Sequence, residues 1–172
     1  MKNKYFNLVW VLPLFLLSTV GTAQADKTTR PSPAAEAIGM IHGAAIKITY
    51  SSPSVKGREI WGDLVPYGKV WRTGANEATT FETDKDIKIN GEKLAAGKYA
   101  LFTIPGENEW TFLFNSEWDQ WGAFKYDQSK DVLRVKAKSE MSAAFIEQMR
   151  IAIIEKMIVL SWENLVVSVE VK

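Results

Sequence analysis

The stretch from Arg58 to Thr79 holds the chain's densest set of groups able to do chemistry. Arg58, Trp61, Tyr67, Trp71, Arg72, Asn76 and Glu77 fall within it, spaced by Gly62, Gly68 and Gly74. Aromatic faces beside amides and charges suit a sugar or a peptide: the ring stacks while the polar groups fix orientation. Glycine lets the backbone approach such a ligand closely. A second cluster runs from Trp118 to Asp127 and includes Gln120 and Trp121. It lies between two predicted strands, where binding loops sit, and is a candidate for the other wall of the same site.

Both clusters have a purely structural reading. Trp61 and Trp71 would serve as core plugs, and Arg72 with Glu77 as a buried pair bracing the loop. The 118–127 aromatics would cap the open end of a sandwich. Other chemistries find less support. His42 is the single histidine, and neither a Gly-x-Ser-x-Gly elbow nor a His-Glu-x-x-His pair occurs. The absence of cysteine excludes disulfide scaffolds, thiol catalysis and thiolate metal sites. Asp84, Asp86 and Asn90 lack the glycine and glutamate that a calcium loop needs. Glu59, Asp63, Glu77, Asp119 and Asp127 offer glycosidase-like carboxylate pairs, as would any domain with this many acids. No metal and no cofactor is expected.

Period-two alternation identifies the elements that must position these groups. Ile46, Ile48 and Tyr50 alternate with Lys47 and Thr49. Strands are predicted around Phe81 and Ile87–Ile89, with Asn90-Gly91 as a tight hairpin turn. Further strands follow at 99–104, 110–115 and 131–138; the β-branched residues 151–154 read as another, Glu155-Lys156 as a turn, and two more strands alternate over 158–163 and 165–171. Residues 145–153 also fit a helical stripe, so one short helical turn is expected near 141–148. The sum is an all-β fold of about eight to ten strands, an antiparallel sandwich of jelly-roll or immunoglobulin-like type.

The N-terminus reads as a secretory signal. Lys2 and Lys4 precede an apolar run to about Val20, and Ala23-Gln24-Ala25 is a small-x-small cleavage site. The expected organisation is a signal peptide over 1–25, an exposed linker over 26–39 and one domain over 40–172. Cleavage would remove two lysines and no acids, taking the formal charge from +1 to −1. A near-neutral domain without a basic tract argues against nucleic acid as partner. No later segment is long and apolar enough to span a bilayer.

Three stretches together resemble a known family. They are Tyr50-Ser51-Ser52-Pro53-Ser54-Val55-Lys56-Gly57-Arg58, the segment from Trp61-Gly62 through Trp71-Arg72-Thr73-Gly74-Ala75-Asn76-Glu77-Ala78-Thr79, and Leu94 to Tyr99 with Ile104-Pro105 and Trp121-Gly122. The family is the exported bacterial domain of unknown function 2911. The resemblance implies a β-sandwich outside the cytoplasm, periplasmic or extracellular, and it implies no activity. The expected role is binding a glycan, peptide or other small molecule through Arg58, Trp61, Tyr67, Trp71, Arg72, Asn76, Glu77, Gln120 and Trp121. A structural or protein-interaction domain of the cell envelope is the alternative, and a carboxylate-dependent hydrolase the third reading.

Overall fold

The computed structural model describes residues 29–172, so the signal-peptide reading lies outside the described residues. Among the described residues, nine strands form a seven-stranded antiparallel sheet and a small two-stranded one. They are β1 (Ala34–Ile41), β2 (Ala44–Ser51), β3 (Thr79–Thr83), β4 (Ile87–Ile89), β5 (Glu92–Leu94), β6 (Gly97–Ile104), β7 (Glu109–Asn115), β8 (Asp131–Ile154) and β9 (Met157–Glu170). The large sheet runs β1-β2-β3-β6-β7-β8-β9, and β4 pairs with β5. The all-β antiparallel expectation holds, in a sheet that curls over its own core.

Three joins produce the curl. The chain just past β2 pairs with the middle of β8: Val55 N–H donates to Glu147 O at 2.8 Å and Met149 N–H to Pro53 O at 2.9 Å. The Tyr50 hydroxyl, on the core face of β2, accepts from Ile151 N–H at 3.1 Å. At the opposite end, Lys88 and Lys172 exchange backbone bonds of 2.7 and 2.9 Å, which fastens the β4–β5 hairpin to the end of β9. The predicted Asn90-Gly91 turn is there, with φ of +48° and +90°.

Two expectations are corrected. From Ala34 onward the segment read as a linker is strand β1, joined to β2 by a two-residue His42-Gly43 turn. Of its inward positions, 35, 37 and 39 carry small residues and only Ile41 is large, because the other layer lies close: a Cβ on Gly39 would sit 2.8 Å from the Ile153 side chain. Nor does a helical turn form near 141–148. Strand β8 passes through that region, and its register with β9 shifts between Met141 and Ile146 and again between Ile146 and Arg150. Bulges of this kind break the period of two, which is why the stripe looked helical.

The inner face of the curl is filled by Ile46, Ile48, Phe81, Leu101, Phe112, Phe114, Val167 and Val169. At one end, four tryptophans from distant segments meet: Trp61, Trp71, Trp110 and Trp162. Trp61 meets Trp110 edge-to-face at 5.0 Å, and Trp71 stacks on Trp162 at 5.9 Å with 17° between planes. A smaller cluster on the outer face of β6 and β7 holds Ala78, Ala100, Phe102 and Leu113. The loop after β7 covers it through Ala123 and Tyr126, whose ring meets Phe102 at 5.2 Å. The loop is expected from sequence to cap the open end of the sandwich; it instead covers this outer face, through Ala123 and Tyr126, while Trp118, Trp121 and Phe124 stay exposed.

Candidate functional site

The long connection between β2 and β3 carries the first cluster, and β6 organises it. Where β3 stops beside Leu101, Trp71 takes over its lane, exchanging backbone bonds with Thr103 at 2.8 and 2.9 Å. Beyond Trp71 the chain folds into a compact loop. The Trp71 indole N–H donates to Gly74 O at 3.1 Å, and the Thr79 hydroxyl donates to Thr73 O at 2.8 Å. Thr73 and Thr103 share a hydroxyl contact of 3.1 Å. No side chain fits at Gly74, where a Cβ would lie 2.9 Å from Ser51 O.

This loop is conformationally costly. Thr73 has φ of +55° and Asn76 of +57°. A buried β-branched residue in the left-handed region is an outlier, and such strain collects at functional sites. The surroundings hold it in place. Ala75 N–H donates to Ser51 O at 3.1 Å and Gly122 N–H to Asn76 O at 3.1 Å. The N-terminal arm lies against the loop as well: Arg30 Nη1 is 3.0 Å from both Glu77 oxygens, and Asn76 Nδ2 donates to Ser32 O at 3.1 Å.

The structure divides the predicted site residues into three groups. Arg58, Trp71, Arg72 and Asn76 line one cavity of about 260 Å³, with Pro53 and Trp162. Glu77 and Gln120 line a different cavity of about 210 Å³, with Lys98, Trp118 and Asp119. Trp61, Tyr67 and Trp121 line neither. Trp61 is packed in the tryptophan cluster, Tyr67 lies over Gly62, and Trp121 is 57% exposed. The 118–127 segment thus walls a neighbouring cavity and does not complete the first one. The Arg72–Glu77 pair does not form either, since Glu77 turns to Arg30.

Arg72 is the group left over. Its guanidinium is half-buried, its Nε is fully enclosed, and no hydrogen-bond or ionic partner engages the side chain among the described residues. Burial lowers its pKa from the usual arginine value, although an arginine stays charged at any physiological pH. Arg58 is engaged by comparison, its Nε donating to Val55 O at 3.0 Å and its Nη2 to Ser54 O. Trp162 is 1% exposed and its indole N–H also lacks a partner. Sequence reasoning missed Trp162. The signal available was its place on the inward face of β9, which says "core" without saying what the ring borders.

A third cavity, about 820 Å³, opens between the β4–β5 hairpin and β6. Lys88, Lys93 and Lys172 rim it, and Asp86 and Tyr99 also line it. Asp86 accepts from Ala96 N–H at 2.8 Å, and Lys172 pairs with Glu170 at 2.7 Å. Its size exceeds that of the Arg72 cavity, but no enclosed polar atom in its wall lacks a partner. Among the described residues no helix is long and apolar enough to cross a membrane.

The domain coincides with a match to the family described as protein of unknown function (DUF2911), over residues 32–171. No curated protein and no solved structure matches.

Proposed function

The chain belongs to the DUF2911 family, and from that premise we propose that it is an exported ligand-binding module whose site is the cavity formed by Trp71, Arg72 and Trp162. The carrying observation is the half-buried Arg72 guanidinium without a partner, at the wall of a cavity with two indole rings. Charged groups rarely go inside unpaired, because desolvation costs several kcal/mol that a partner normally offsets. A strained loop braced by both the N-terminal arm and the 118–122 segment holds that group in place. The cavity fits one sugar unit or one or two amino-acid residues, so the ligand is a glycan or a peptide engaged at a single point.

Export rests on the first 25 residues, and its test is direct. The mature protein recovered after secretion begins at Asp26, read from its intact mass or its N-terminal sequence. Recovery of the chain with residues 1–25 still attached would contradict cleavage.

Binding is best read through tryptophan emission, with one precaution. Trp118 and Trp121 are exposed and would respond to any quencher. In a mature domain carrying W118F and W121F, the remaining emission comes from Trp61, Trp71, Trp110 and Trp162. We expect that emission to shift saturably with some member of a glycan and short-peptide panel. If no member moves it, the cavity is not a ligand site. Trp121 and the 86% exposed Phe124 would then become the lead toward a protein partner.

A further inference from the structure

We infer that the group recognised in the Arg72 cavity is a carboxylate, carried by an acidic sugar unit or by a peptide. This rests on reading the cavity as a ligand site and names what that site selects.

The polar inventory of the wall points one way. Arg58 donates to two backbone carbonyls, Asn76 Nδ2 to Ser32 O, and the Trp71 indole to Gly74 O. The donors left over are the terminal Nη groups of Arg72, whose side chain is only half-buried and has no partner among the described residues; its Nε and the Trp162 indole N–H are enclosed by protein. No aspartate or glutamate lines the cavity, and its side-chain acceptors, on Asn76 and Ser32, are neutral. A cavity with unspent donors, net positive charge and no acid is complementary to an anion.

Geometry and charge narrow the anion. A guanidinium presents its N–H groups as a planar fork, which matches a carboxylate with two parallel bonds. One free guanidinium balances one negative charge. A phosphate monoester would bring close to a second charge into a half-desolvated wall where the other cation, Arg58, is already engaged, and the excess would be penalised. The stacked indoles Trp71 and Trp162 flank the same space, offering apolar surface to the residue or ring that carries the carboxylate.

The test uses matched pairs titrated calorimetrically into the mature domain. An acetylated dipeptide with a free C-terminal carboxylate is compared with its C-terminal amide. A galacturonate disaccharide is compared with the neutral galactose disaccharide. Inorganic phosphate is the control anion. The acid of one pair should bind about 30-fold or more tighter than its neutral partner, corresponding to loss of a desolvated charge pair. Which pair shows the gap identifies the source. In Arg72→Met the gap should vanish. In Arg72→Lys, which keeps the charge and loses the fork, part of it should remain. Neutral members binding as tightly as acids would overturn the carboxylate assignment and leave the site standing, as would phosphate binding more tightly than either acid. If no probe binds and the tryptophan emission of the W118F/W121F domain stays unmoved, both the assignment and the site fall.

Discussion

Replacing Arg72 with methionine leaves the domain as stable as before or more so, while ligand affinity falls by about 30-fold or more. The sign of the stability change separates two roles for a half-buried arginine. A structural arginine holds carbonyls or a carboxylate, and its removal strands them, at a cost of about 3–5 kcal/mol when the pair is buried. Arg72 holds nothing among the described residues, and its enclosed Nε is itself the stranded group. Methionine keeps much of the apolar stem and removes the unsatisfied donor, a change that is neutral or favourable in a buried site. The side chain is only half-buried, so the gain is discounted to about 1 kcal/mol at most. That corresponds to a rise in Tm of roughly 2–4 °C for a domain of this size. Urea melts of the two proteins check it. A loss above about 2 kcal/mol would make Arg72 a structural residue and remove the main support for the site.

The tryptophan cluster gives the second large effect. Trp110 is fully buried on β7 and meets Trp61 at 5.0 Å and Trp71 at 6.2 Å. Trp110→Ala opens a void that rigid neighbouring rings cannot fill, and costs about 3–5 kcal/mol. Against a total of about 5–15 kcal/mol, that brings the domain close to unfolding at room temperature. Trp110→Phe should cost far less, below about 1.5 kcal/mol, because it keeps most of the ring volume. It also removes an indole N–H that has no partner. The pair of variants separates packing from hydrogen bonding in chemical denaturation: equal losses would mean the indole N–H is engaged after all. The Trp71–Trp162 wall of the cavity rests on Trp110 and Trp61, so Trp110→Ala should also weaken ligand binding in whatever fraction remains folded.

Where one face of a strand is buried and the other wet, the sequence announces it. Ile46, Ile48 and Tyr50 go in and Lys47 goes out, as their alternation required. Asn90-Gly91 forms the tight turn because the left-handed backbone there suits those two residues. Strand β1 was missed because the opposite layer approaches so closely that Gly39 replaces a larger residue, which erases the apolar signal on its inner face. The 145–153 region looked helical because register shifts in β8 change which side chains face inward.

The site was legible in composition and not in arrangement. Arg72 and Trp71 stood out by type, and both border the cavity. No local pattern could show that Trp61 would turn inward to meet Trp110 and Trp162, residues 49 and 101 positions further along the chain. Nor could spacing reveal that Glu77, five residues from Arg72, would pair instead with Arg30, 47 residues away. Those choices are made by the topology that brings the 71–79 loop against β6, the N-terminal arm and the 118–122 segment.

The most direct test of the Arg72 cavity is the side-chain Nε–H resonance of Arg72 itself. It can be assigned in a nitrogen-15 spectrum by its disappearance in Arg72→Met. Titration with the carboxylate member of a matched pair should move that resonance saturably, as a bidentate hydrogen bond forms on the Nη groups of the same conjugated guanidinium. The neutral member should leave it in place. If both members of every pair leave the Arg72 resonance unmoved at concentrations that saturate any measured binding, the ligand sits elsewhere and the cavity is not the site.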